Sequence, residues 1–124
     1  MGGTKLDGAG VQKMKTLEEA LITLQSIHGV VERMAIDVKN QRPIGIAPQQ
    51  AKRLAVPLQG LLKGQFGMIA DQVTAMVLAA GRGGGGEGVK VRMMREYVAQ
   101  IRAAIEVAAH KVKEQHAVAI PDSE

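Results

Sequence analysis

Arg82, Lys90, Arg92, Arg95 and Arg102 are the side chains best placed to do chemistry, because they crowd around the glycine-rich stretch GRGGGGEG at residues 81–88. Backbone amides of a glycine loop ahead of a helix can cradle phosphate oxygens, and nearby cations strengthen the grip. Lys90, Arg92 and Arg95 fall in the first turns of the helix expected after this loop. The helix dipole already presents positive charge there, so each cation costs about 0.3 kcal/mol or more. A phosphate, a nucleic-acid backbone or an acidic protein surface would relieve the conflict, and so would Glu87 and Glu96 close by. The loop itself matches neither common nucleotide signature. A P-loop ends in Gly-Lys-Ser or Gly-Lys-Thr, whereas here Gly88 is followed by Val89 and Lys90. The dinucleotide fingerprint needs a preceding strand, and Val73 to Ala80 reads as helix. The plain alternative is a flexible linker. Phe66 and Tyr97 are the whole aromatic set, too few for bases to stack on, which leaves duplex phosphates as the nucleic-acid target.

Other reactive residue types lead nowhere specific. With no cysteine, disulfides, thiolate catalysis and cysteine-bound zinc are excluded. Ser26 and Ser123 are the only serines, and neither sits in a Gly-x-Ser-x-Gly turn. His28 falls within a predicted helix seam, where a polar side chain tunes register and pairing more readily than it binds a ligand. Glu106, His110 and Glu114 share one helix face, but the Glu-x-x-His pairs of a carboxylate-bridged di-metal centre are missing. The expectation is therefore a non-enzymatic protein with no catalytic residue, no metal and no cofactor.

The elements that must position these groups are helices. Leu17, Leu21, Leu24, His28, Val31, Ala35 and Val38 recur at alternating steps of 4 and 3, as do Val91, Met94, Val98, Ile101, Ile105, Ala108 and Val112, in steps of 3 and 4. Such spacing lays side chains along one seam of an α-helix. The first helix is expected to open on a capping box formed by Thr16 and Glu19 and to run to about Lys39. Gly29 inside it suggests that something packs closely there. Residues 40–47 read as a connector, and Pro48 suits the first turn of the next helix. From Ala51 to Ala80 the apolar phase continues through Pro57, Gly60, Gly64 and Gly67. Continuity predicts one bent helix with a hinge at Pro57, Gly60 and Gly64; a break near Gly64 would give two shorter helices instead. Gly60, Gly64 and Gly67 lie nearly on one face, as if to admit a close neighbour. The last helix is expected from about Val89 to Ala117.

Charge supports pairing of the end helices. The first carries Glu18, Glu19, Glu32 and Asp37 against Arg33 and Lys39, and the last carries six cations against Glu96, Glu106 and Glu114. The sequence thus predicts an all-α fold, an antiparallel bundle of three long helices, or four if the middle one breaks near Gly64. Residues 1–15 are expected to be a flexible lead-in, 16–118 the bundle and 119–124 a frayed tail. Hydrophobic content is 46% with seven methionines and 2% aromatics, so the core must be aliphatic and adaptable. Seam positions Leu21, Leu24, His28, Val31, Val98, Ile101 and Ile105 are expected to pair helices and to join copies into a homo-oligomer, most simply a dimer. No apolar run reaches the length of a membrane span, the first ten residues lack a signal-peptide core, and the absence of cysteine suits the cytoplasm. The leading expectation is a structural or adaptor protein with a protein partner. The alternative is a nucleic-acid-binding accessory protein that uses the five cations around the glycine loop, consistent with a net charge of +4.

Overall fold

The computed structural model describes residues 4–82 and 85–119. The chain runs β1 (Thr4–Leu6), α1 (Gly8–Lys39), α2 (Ala47–Lys63), α3 (Gly67–Gly81), α4 (Gly86–Gln115) and β2 (Ala117–Ala119). The fold is all-α apart from one short antiparallel strand pair, in which Lys5 faces Val118. Each helix packs against the next, and α4 returns to α1, closing a ring of four.

Four helices replace the expected three because the middle segment reverses. The α2 helix stops at Lys63, and Phe66 adopts φ −132° and ψ 56°, outside the helical region. The Phe66 amide donates to the Leu62 carbonyl at 2.7 Å, and the Ala70 amide donates to the Phe66 carbonyl at 2.9 Å, so both helix ends remain bonded across the turn. Pro57 and Gly60 lie inside α2, so the reversal belongs to Gly64–Phe66 and not to the whole expected hinge. A side-chain carbon added at Gly29, Gly60, Gly64 or Gly67 would meet nothing within 4 Å, so no neighbour uses these glycines for close approach.

The two ends of α1 are built differently from expectation. It starts eight residues before Thr16, at Gly8, with Asp7 as its N-cap accepting from the Gly10 amide at 2.7 Å. The Thr16 hydroxyl instead donates to the Gln12 carbonyl within the helix. Residues 4–15 therefore hold β1 and the first two turns of α1. At the C-terminal end the Arg42 amide donates to the Asp37 carbonyl and the Gln41 amide to the Val38 carbonyl, a Schellman closure with Gln41 at φ 59° where glycine is usual. The last helix also shifts, beginning at Gly86 and ending at Gln115.

The buried stripe of α1 is Leu17, Ala20, Leu24, Ile27, Val31 and Met34. Leu24 and Val31 are core as expected, but Leu21, His28 and Ala35 are only half-buried on its flank. A helix with neighbours on two sides buries a wider stripe than a two-helix seam, and its centre has turned toward Ala20, Ile27 and Met34. On α4 Val91, Met94, Val98, Ile101, Ile105 and Val112 are all buried, as the spacing required. No polar residue is buried as a whole among the described residues.

Unequal lengths shape the molecule. At about 1.5 Å per residue α1 is about 48 Å long and α2 about 25 Å. The short helices, which join the C-terminal end of α1 to the N-terminal end of α4, cover only that half of the long pair. The opposite end of α1 and α4 is closed by β1 and β2. Gly10 is buried there, and a carbon added to it would fall 2.5 Å from Cβ of His116. Gly10→Ala is expected to destabilise by about 1–3 kcal/mol through overpacking. Gly29→Ala, which enters open space in mid-helix, should stabilise by about 0.5–1 kcal/mol. Urea midpoints of the two variants, moving in opposite directions, check the assignment.

Candidate functional site

The five cations do not converge on one surface. Arg95 makes a two-pronged contact with Glu32 of α1, Nε to Oε2 at 2.7 Å and Nη2 to Oε1 at 3.0 Å. Arg102 donates from Nη2 to Oε1 of Gln25 at 3.2 Å, two turns further along the same interface. Both side chains fasten α4 to α1 within one chain. The Arg95 guanidinium holds the Glu32 carboxyl below the usual carboxylate range, and Glu32 raises Arg95 in return. Exposed pairs of this kind contribute at most about 1 kcal/mol, so this one sets register more than stability. Helix pairing inferred from opposite charge is thus present, though not through bulk charge: the added first turns bring Lys13 and Lys15 into α1 and balance its four acids.

Arg82 is the exposed C-cap of α3, and Gly83 and Gly84 of the glycine stretch lie outside the described residues. Gly85 and Gly86 have φ of 78° and 82°, a left-handed backbone that explains glycine at these two positions without any ligand. Glu87 sits in the first turn of α4, where its charge suits the dipole, and its Oε2 lies 3.4 Å from the Ile44 amide of the α1–α2 connector. Half-buried Lys90 lines the small hollow beside it with Pro48 and Gln49, while Arg92 and Arg95 line another hollow with Val38 and Lys39. The geometry therefore leaves Arg82, Lys90 and Arg92 for an anion, with a carboxylate already at the helix start.

The histidines divide. His110 Nε2 lies 2.9 Å from Glu114 on an exposed face, and no group of three metal-ligating side chains occurs among the described residues. His28 is half-buried one turn before Glu32. His116, which carried no signal in the sequence, is the most connected of the three. Its Nδ1 lies 3.0 Å from Oδ1 of Asp7, and its Nε2 lies 3.2 Å from Nζ of Lys13. An ammonium only donates and a carboxylate only accepts, so a ring carrying its proton on Nδ1 satisfies both neighbours. The Asp7 amide donates to the His116 carbonyl at 3.0 Å as well. Both ring nitrogens are thus engaged, and the cluster clasps the start of α1 to the end of α4. Asp7 and His116 stand 109 residues apart at helix ends, where periodicity is silent. The local clue was Asp7 three residues before Gly10, a possible N-cap.

A groove of about 700 Å³ opens between α3 and α4. Phe66, Met68 and Ile69 form one wall and Ala104, Val107 and Ala108 the other, with Asp71 and Lys111 at its margins. Met68 is 86% exposed and Val107 55%, which is unusual for large apolar side chains that adjoin one another. Gln72 lines the same groove and keeps Oε1 buried without a hydrogen-bond partner. Seam residues Leu24, Val31, Val98, Ile101 and Ile105 are inside the bundle and cannot form this surface. Compared with protein-family models, curated proteins and solved structures, the chain matches none.

The clasp yields a pH dependence. The Gly10 amide above all holds the Asp7 carboxyl below its ordinary value; desolvation opposes it, and His116 and then Lys13 add smaller pulls in the same direction as the amide. A carboxyl lowered on folding stabilises the fold above its unfolded value of about 3.9, and that contribution fades as pH falls through the folded value. Asp7→Asn keeps a capping oxygen but loses the charge. Its thermal midpoint should lie below that of the parent at pH 6, and the gap should narrow as pH is taken down from 6 to below about 4. A gap constant across this range would remove the charge from the clasp.

Proposed function

We propose that this chain is a non-enzymatic structural or adaptor protein that works by laying helices against helices, in self-assembly and with other proteins. The observation that carries the reading is the apolar groove between α3 and α4, with Met68 and Val107 beside it in water. Exposed apolar side chains scattered singly need no explanation, but an adjoining set in a groove marks a contact surface. The groove has few polar groups of the kind that orient a small substrate, which favours a helix as its occupant. An assembly role also accords with the use of Arg95 and Arg102, whose side chains already bind α1.

Phosphate binding is the competing reading, resting on Arg82, Lys90 and Arg92 and on a pI near 9.6. It retains three of the five cations and must contend with Glu87 at the start of α4. Two measurements divide the readings. Sedimentation equilibrium over the micromolar range should give a mass above the 13.2 kDa of one chain, unchanged by Arg92→Gln. Retention on a duplex DNA column should be weak and independent of Arg92. A monomer whose retention falls steeply with salt and is lost in Arg92→Gln would replace assembly by phosphate binding.

A further inference from the structure

We infer that the α3–α4 face is a two-fold interface with a second copy of this chain, an inference that rests on the self-assembly reading. A two-fold contact uses the same patch on both copies, so that patch must contain a protrusion and the recess that receives it. This face has both. Met68 stands out from the first turn of α3, 86% exposed, and beside it α4 presents Ala104 and Ala108, whose short side chains leave the groove open. Methionine is unbranched and adaptable, so it fills a shallow alanine-lined recess without demanding one shape. Val107 extends the apolar floor between them.

Charge gives the second, independent argument. Asp71 lies on the α3 wall and Lys111 on the α4 wall, and both are exposed. Neither has an ion-pair partner among the described residues of its own chain. When two copies face each other about a two-fold axis that runs along the groove, the acidic wall of each meets the basic wall of the other. The pairing is counted twice by symmetry, and like charges stay apart. A patch built to receive an unrelated partner has no need to carry both halves of this complementarity.

The test is a charge exchange read by sedimentation equilibrium. The parent should reach twice the chain mass and stop there. Asp71→Lys places lysine against lysine at both symmetric contacts, and Lys111→Asp places aspartate against aspartate; each alone should weaken self-association about tenfold. Mixing the two variants restores opposite charges at both contacts, so the mixture should associate as the parent does. Met68→Glu should leave a monomer. All three positions are exposed, and unchanged far-ultraviolet circular dichroism establishes that the variants fold. A parent oligomer indifferent to these substitutions overturns the assignment of this face while leaving self-assembly intact. A mass that keeps climbing with concentration overturns the two-fold arrangement. A parent that stays monomeric, its groove left to a small apolar ligand or to another protein's helix, overturns the inference and the self-assembly reading together.

Discussion

The arrangement depends on one constraint: the long apolar stripes of α1 and α4 must be covered on two sides by a segment that is half their length once it folds back. A single helix from Ala47 to Gly81 would be about 52 Å long and would carry the chain to the far end of α1. The last helix would then run parallel to the first. Reversal at Gly64–Phe66 brings the chain back, so that α4 begins beside the end of α1 and runs antiparallel to it. Every polar contact between those helices follows from this. Glu32 meets Arg95, Gln25 meets Arg102, and Asp7 at one chain end meets His116 at the other.

The clasp solves a problem that the lengths create. Beyond the reach of α2 and α3, the first turns of α1 and the last turns of α4 have only each other, and helix ends left alone fray. Here the first amides of α1 are served by Asp7, whose carboxylate is also held by the His116 ring. Pairing of β1 with β2 continues the backbone bonding past the helices. Gly10 is required because Cβ of His116 occupies the space its side chain would take. One aspartate thus links helix capping, strand pairing and closure of the bundle.

Helical class was legible because the 3–4 spacing on α4 is unbroken and nothing else competes for those residues. Its buried set matches the spacing closely. The register of α1 was harder, since Ala20, Ile27 and Met34 form an equally good stripe beside Leu21, His28 and Ala35. Only a second neighbour decides between them. The break near Gly64 stood as an alternative to one bent helix, and apolar phase, which runs on through the turn, could not decide between them. Phase records which side of a helix faces the core and is blind to where the axis reverses. Thr16 with Glu19 satisfied the rule for a capping box, yet Asp7 won, because its cap is reinforced by His116 from the other end of the chain. Arg95 stood out as a cation at odds with the dipole and Arg102 as a further candidate for an anion, and the structure shows a carboxylate and an amide on α1 answering them.

The pattern of polar contacts also bears on where the surface is open. Among the described residues, side-chain hydrogen bonds cross between α1 and α4 and, through Gln59 and Thr74 at 2.5 Å, between α2 and α3. None crosses from α1 to α2 or from α3 to α4. Among the described residues the bundle is therefore two locked pairs, and the two seams between them carry no helix-to-helix side-chain hydrogen bond. Directional bonds fix register, whereas apolar contacts tolerate sliding and exchange of one surface for another. A groove would be expected along such a seam, and the larger one does open between α3 and α4. Its walls belong to different pairs, so another helix seated there would bridge the two halves of the bundle. Occupation of the groove and cohesion of the bundle should therefore rise together.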